Sequence, residues 1–432
     1  MRHRIRSTCM AAVLLCAALP AASQVPPAAP PAAAPAAASG APDAPRGKPS
    51  VEERARQLVA VTCNICHPLA ARVGNGYDAR GWHTVLRMMA NQGAPIPRGE
   101  AETMAAYLIK TYPEKNKPAA KLLAGPVKVS MREWTAPTPG SRPHDPLVAS
   151  DGSLWYSGQL ANVLGRIDPA TGRIREYHLK TAHSGPHGLK EDRDGNIWYT
   201  GNTAGLIGRL DPKTGAVTEY PLPDPQAKDP HTLIFDNAGI LWFTVQAANR
   251  IGRLDPKTGE IKLLTPPTAN SRPYGMALNS KGLVFVVQFG ANSVASVDPA
   301  TLQIREFKLP DPGARPRRIA ITSDDLVWYT DYARGYLGRL DPSTGKVTEW
   351  PSPSGPRSAP YGISAISDVI WYSESEAKPN TVVRFDPRTE AFQSWPIPGG
   401  GNIVRNTAVT KEGNFVLANS LVNGVTLVRI AK

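Results

Sequence analysis

The chain has 432 residues and a formal net charge of +13, with 43 prolines, 37 glycines and 4 cysteines. That length accommodates two or more domains with cores of their own, and the basic balance fits either an acidic partner or a solvated basic face. Cys9 and Cys16 fall in the first twenty residues, which leaves Cys63 and Cys66 and rules out a disulfide framework.

Residues 1–23 read as a secretory signal. Arg2, His3, Arg4 and Arg6 form a charged start, Met10 to Leu19 a short apolar core, and Ala21-Ala22-Ser23 a small-residue cleavage site. The apolar run is too short to span a bilayer if the signal is cleaved. The expected location is therefore periplasmic or otherwise exported. Export argues against nucleic acid as a partner, as does the lack of a basic run interleaved with aromatics. Residues 24–49 are dominated by Pro, Ala, Gly and Ser, a composition that cannot bury a core and reads as an extended linker.

Residues 50–115 contain Cys63-Asn64-Ile65-Cys66-His67. Two thiols on one helical turn can each bond a haem vinyl group as a thioether, and the next imidazole then meets the iron. A zinc site would want a second Cys-x-x-Cys, and a thioredoxin-like pair would want a βαβ pattern; neither is present. Helical stretches are expected from Glu52 to Val61, from Trp82 to Gln92, and after Pro97-Arg98-Gly99-Glu100. A thioether sulfur suits the distal position, and Met88, Met89 and Met104 can supply it. The run Trp82…Met89…Gly93-Ala94…Tyr107-Leu108 resembles small class I cytochromes c. That resemblance implies an exported haem c domain with His67 and Met89 on the iron and Met104 in the core. Residues 116–126 read as a second, shorter linker.

From 127 to 432 the sequence repeats. Ile207-Gly208-Arg209-Leu210-Asp211-Pro212-Lys213-Thr214-Gly215 returns at Ile251–Gly259, and Asp-Pro pairs start at 168, 211, 255, 298, 341 and 386, a period of 43 to 45. Trp155, Trp198, Trp242, Phe285, Trp328, Trp371 and Val416 mark seven units. A period near forty with short strands predicts a β-propeller. In the second unit the strands are expected at His187–Glu191, Asn196–Thr200, Leu206–Leu210 and Ala216–Pro221. The last unit lacks its fourth strand, and 127–137 carries the missing phrase, so that segment is expected to complete the last blade and close the ring. The expected fold is multidomain: a small all-α cytochrome c domain, then an all-β seven-bladed β-propeller.

Two sets of positions vary between units and are expected to line one mouth of the central funnel. The first-strand starts are His144, His187, His231, Tyr274, Arg317, Tyr361 and Arg405; the second-strand ends are Gly158, Gly201, Val245, Gln288, Asp331, Glu374 and Asn419. Pro186-His187-Gly188, Trp198-Tyr199-Thr200 and Asn249-Arg250-Ile251-Gly252-Arg253 resemble the repeated phrases of the streptogramin B (virginiamycin B) lyases. The resemblance spans 127–432. It implies a funnel histidine, His187 or His231, as general base and acids, Glu374 and Asp331, holding Mg²⁺ for elimination across an ester.

Three functions follow. One is an exported electron-transfer protein whose haem c domain is joined to a propeller that binds a small-molecule or peptide substrate or a redox partner protein, acidic in character. Another is a metal-dependent C–O lyase with an accessory cytochrome. The last is a recognition propeller that docks the cytochrome to its partner.

Overall fold

The structure, a computed structural model, describes residues 49–64, 69, 73 and 75–431. The export signal (1–23), residues 24–48 of the first linker, Cys66 and His67 lie outside the described residues.

Three helices open the described chain. Helix α1 (Val51–Cys63) is capped by Ser50, whose hydroxyl accepts the Glu53 N–H at 3.1 Å, the Ser-x-x-Glu arrangement of a capping box. Helix α2 (Ala79–Asn91) starts three residues before Trp82 because the Asp78 carboxylate accepts the Gly81 N–H at 2.8 Å and caps it there. Helix α3 is Ala101–Thr111. Their apolar faces meet over Val59, Trp82, Leu86, Met104 and Leu108, so Met104 is buried in this core. Among the described residues no helix is long and apolar enough to cross a membrane.

Seven four-stranded antiparallel sheets follow, the seven-bladed all-β propeller that the repeat predicts. The second blade runs Pro186–Glu191, Ile197–Gly201, Leu206–Leu210 and Val217–Pro221, within a residue of expectation. The ring closes through Val129–Thr135, which pairs in register with Gly424–Ile430, Trp134 opposite Val425. No blade is left with an open edge at the chain ends.

The repeated phrases have packing reasons. The glycine of Ile-Gly-Arg is required because an aromatic ring lies across it: a Cβ on Gly208 would stand 2.1 Å from the Tyr199 ring, and one on Gly252 2.1 Å from Phe243. The fourth unit confirms the trade, with Val286 in place of the ring and Ala295 in place of the glycine. The landmark tryptophans stack on fourth-strand aromatics, Trp198 on Tyr220 at 5.5 Å and Trp371 on Trp395 at 5.5 Å.

Residues 116–126 are tied along blade six. Lys378 donates its N–H to Pro118 and Ala120 donates to Lys378, at 2.9 and 3.1 Å. Leu123 donates to the Ser394 hydroxyl at 2.9 Å. Lys117, whose side chain is 7% exposed, sits between Glu114 at 2.8 Å and Glu376 at 3.7 Å. Burial pushes the Glu376 carboxyl up, while hydrogen bonds from Lys117 and Lys378 outweigh burial and hold Glu114 down. A segment whose composition reads as a spacer thus acts as a strap, and residues from Pro49 onward form one compact unit.

Candidate functional site

Each blade's first strand carries a β-bulge at its start. In blade one Pro143 faces Gly158 and Pro146 faces Tyr156, so His144 and Asp145 together oppose Ser157 alone. The same shift recurs after Pro186, Pro230, Pro273, Pro316, Pro360 and Val404. A bulge re-aims side chains, and here it brings the variable second residue of successive blades together. His144, His187, His231 and Tyr274 pack ring against tilted ring, with successive centroids 3.6, 3.7 and 3.9 Å apart and interplanar angles of 43°, 50° and 48°.

Hydroxyls from the Trp-Tyr-Ser/Thr strands lock this arc. Ser157 accepts the Asp145 N–H and donates to the carbonyl of His187 at 2.6 Å. Thr200 accepts from Gly188 and donates to the His231 carbonyl at 2.7 Å; Thr244 does the same from Thr232 to Tyr274 at 2.9 Å. One side chain therefore serves its own blade's bulge and positions the next blade's ring residue. The repeated hydroxyl was visible in the sequence, but its link to a neighbouring blade was not.

The arc is electrically neutral and desolvated. Burial pulls all three histidines well below the ordinary imidazole range, helped by Arg405 at His144, by His144 at His187, and by His187 at His231. Nδ1 of His187 is buried without a hydrogen-bond partner, and Nδ1 of His231 meets the Thr232 hydroxyl at 3.2 Å. In the unfolded chain these imidazoles bind protons below about pH 6.5, which the folded state refuses. Because the unfolded state then binds more protons, stability should fall as pH drops below that point. The slope approaches about 1.4 kcal/mol per pH unit for each histidine, measurable by urea unfolding across pH.

Across the channel the ring is cationic and aromatic. The Arg317 guanidinium carbon lies 4.1 Å from the ring centroids of both Tyr332 and Tyr361, 4.6 Å from Phe289 and 5.2 Å from Tyr274. Tyr274 and Tyr361 share a short hydroxyl–hydroxyl hydrogen bond. Burial alone would raise the Tyr361 phenol, but Arg317, Arg405 and Arg318 together draw it below its usual value.

Beneath the ring, Arg318 and Asp145 bridge the channel. Asp145 Oδ1 accepts from Arg318 Nη2 at 3.0 Å and from His144 Nδ1 at 2.8 Å, and Oδ2 accepts from Asn406 at 2.7 Å. Arg318 also donates to Thr232 at 2.9 Å and to the Arg405 carbonyl at 3.2 Å. Both charged side chains are 3% exposed. A cavity of about 390 Å³ reaches this bridge from the opposite rim.

The second-strand ends do not line the mouth as expected. Asp331 and Glu374 are fully buried within their own blades. Asp331 is ion-paired with Arg334 at 2.6 Å and accepts the Arg315 N–H. Glu374 accepts from the hydroxyls of Ser352, Ser354 and Thr381 and from the Ser354 N–H at 2.6–2.7 Å. Both carboxylates are spent on local donors and do not fit an Mg²⁺ ion, which wants free oxygens and several waters. Among the described residues, the ligand atoms of His144, Asp145 and His187 come within 4.8 Å of one another. The Arg318 guanidinium already occupies the cationic place beside that carboxylate.

Above the ring lies a second cavity, of about 400 Å³. Cys63, Trp82, Leu86, Met88 and Met89 line its helical side; Arg142, Leu160, Ile403, Arg405 and Leu421 line its propeller side. Helix α2 is seated on the rim. Asn91 donates to the Pro139 carbonyl and Gln92 to the Leu160 carbonyl, each at 3.0 Å. Gly140, at φ +71°, lies so close that a Cβ there would be 2.8 Å from the backbone of Arg87 and Met88. The Cys63 thiol is pushed up by burial. Thiol, paired thioethers and apolar walls fit a covalently held haem as a donor set. Cys66 and His67 lie outside the described residues.

The virginiamycin B lyase family model matches residues 126–385. The chain belongs to the virginiamycin B lyase family. Among solved structures it resembles a streptogramin B lyase, with 26% identity and a TM-score of 0.64 over 70% of this chain and 98% of that one. Virginiamycin B lyase from Staphylococcus aureus, as selenomethionine protein, gives 25% identity and a TM-score of 0.65, over 70% and 100%. A catalytically inactive histidine-to-alanine variant of the same enzyme with quinupristin gives 25% and 0.64, over 70% and 100%. Comparison with curated protein sequences gives no match. The family match begins after α3, so helices α1–α3 are an addition in front of the virginiamycin B lyase propeller.

Proposed function

We propose that this chain is an exported haem c protein in which a helical haem site covers the funnel of a virginiamycin B lyase-type propeller. The observation that carries the reading is the shared cavity, with Cys63, Met88 and Met89 on one wall and the ring residue Arg405 on the other. Cys63 and Cys66 would hold haem c by thioethers, with His67 and Met89 as axial ligands and Met88 beside them. Haem c, when bound, supplies a one-electron carrier. Trp82, Leu86 and Leu108 exclude water from the cavity. The neutral imidazoles of His187 and His231 would meet a small-molecule or peptide substrate in the funnel as uncharged hydrogen-bond partners. The net charge of +13 suits an acidic redox partner protein.

Family membership and three neutral histidines favour a second reading, a C–O lyase with an accessory cytochrome. The commitment of Asp331 and Glu374 to other donors weighs against its magnesium-dependent form. The two readings separate on protein matured in a host that attaches c-type haem. The lyase reading expects opening of quinupristin that survives Cys63→Ser with Cys66→Ser and disappears in His187→Ala or His231→Ala. The redox reading expects substrate-dependent reduction of the haem, no quinupristin opening, and loss of reduction in the double cysteine variant. Elimination that persists without haem would sink it.

A further inference from the structure

We propose that Arg142 and Arg405, two arginines of the propeller, receive the propionates of the haem held by the helical segment. The haem site is then built by both parts of the chain. This inference rests on the haem reading above.

Both arginines line the cavity from below, opposite Cys63, Met88 and Met89. Their charges repel: burial, with Arg405 the next contribution, pushes the Arg142 guanidinium down to about 9. Two like charges facing an enclosed space are stable only if an anion joins them. Among the described residues none is free to do so. Arg405 spends Nε on the Ser420 hydroxyl at 3.0 Å, and Glu376, the acid whose field reaches it, is paired with Lys117 at 3.7 Å. Asp145, the carboxylate under the ring, is held by Arg318 at 3.0 Å. Among the described residues no ion pair involves Arg142 or Arg405.

The fold does not demand an arginine at either place. Arg142 precedes the first strand of blade one at φ +57°, and the same place in blade two is Gly185 at φ +65°. Arg405 occupies a ring position that five other blades fill with histidine or tyrosine and one with Arg317. A dicarboxylate edge matches what the cavity lacks, and a planar guanidinium matches a carboxylate in two-pronged geometry.

The test uses the full chain matured with haem. Arg142→Gln, Arg405→Gln and the double variant are compared with Arg142→Lys, Arg405→Lys and the exposed control Arg175→Gln. Loss of a cation beside the haem favours the ferric form, so the midpoint potential should fall in both glutamine variants and fall further in the double. The propionate bending modes in the resonance Raman spectrum should shift in the same variants. Lysine should restore the potential in large part, and Arg175→Gln should change neither readout. Glutamine variants that keep full haem and folded-state melting but match wild type in potential and Raman modes would overturn the inference. Wild-type protein without haem would instead overturn the haem reading beneath it.

Discussion

Replacing Arg318 with methionine should destabilise the protein by about 3–5 kcal/mol, measured by urea unfolding at neutral pH. The reason is asymmetric. Arg318 and Asp145 are each 3% exposed, and neither can recover water if its partner is removed. Methionine leaves the Asp145 carboxylate buried with only His144 and Asn406 as donors. It also strips the Thr232 hydroxyl and the Arg405 carbonyl of a donor. Asp145→Asn should cost a comparable amount, because it leaves a guanidinium unpaired. The double variant, Asp145→Asn with Arg318→Met, should be more stable than the sum of the single losses implies, since neither side of the bridge is left as an unpaired charge. A loss below about 1 kcal/mol in Arg318→Met would mean that the bridge is solvated, as surface pairs are.

On the haem reading proposed above, Met89→Ala should leave the thioether-bound haem in place but lower its midpoint potential. Sulfur ligation favours the ferrous iron, and axial ligands command a span of roughly 0.8 V. The expected drop is a sizeable part of that span, read by redox titration, with loss of the methionine–iron signature in the ferric spectrum. Met88→Ala is the control that makes the assignment testable, since Met88 and Met89 both line the cavity. Met88 is 3% exposed, and its neighbour's backbone is gripped by Gly140 of the propeller, so its loss should register in melting temperature. The reverse pattern would move the axial role to Met88.

The propeller was legible because a blade is a local object. Aromatic, Gly-Arg and Asp-Pro phrases recur with one period, and each is satisfied inside its own unit or the next. The ring of first-strand residues followed from the same logic, and so did closure by Val129–Thr135. The orientation of the second-strand ends was not legible. Period-two alternation cannot show that Glu374 meets the hydroxyls of Ser352 and Ser354, from the connection that follows the preceding blade, and of Thr381, its partner on the next strand. Nor could composition show that 116–126 is strapped to blade six, since its bonds run to residues more than 200 positions away, such as Ser354 and Ser394. The Arg318–Asp145 bridge spans 173 positions and leaves no pattern along the chain. The placement of α2 on the funnel rim has the same character. Its one sequence trace is Gly140, a glycine that becomes meaningful only with a helix against it.

A haem c site on the mouth of a lyase-type propeller can be checked by maturing the full chain in a host that attaches c-type haem. The purified protein is then unfolded, extracted with acidified organic solvent, and its visible spectrum recorded. Haem should stay with the polypeptide, one per chain, and be lost from the polypeptide in Cys63→Ser with Cys66→Ser. A polypeptide that leaves such a host folded and exported but without haem would contradict it.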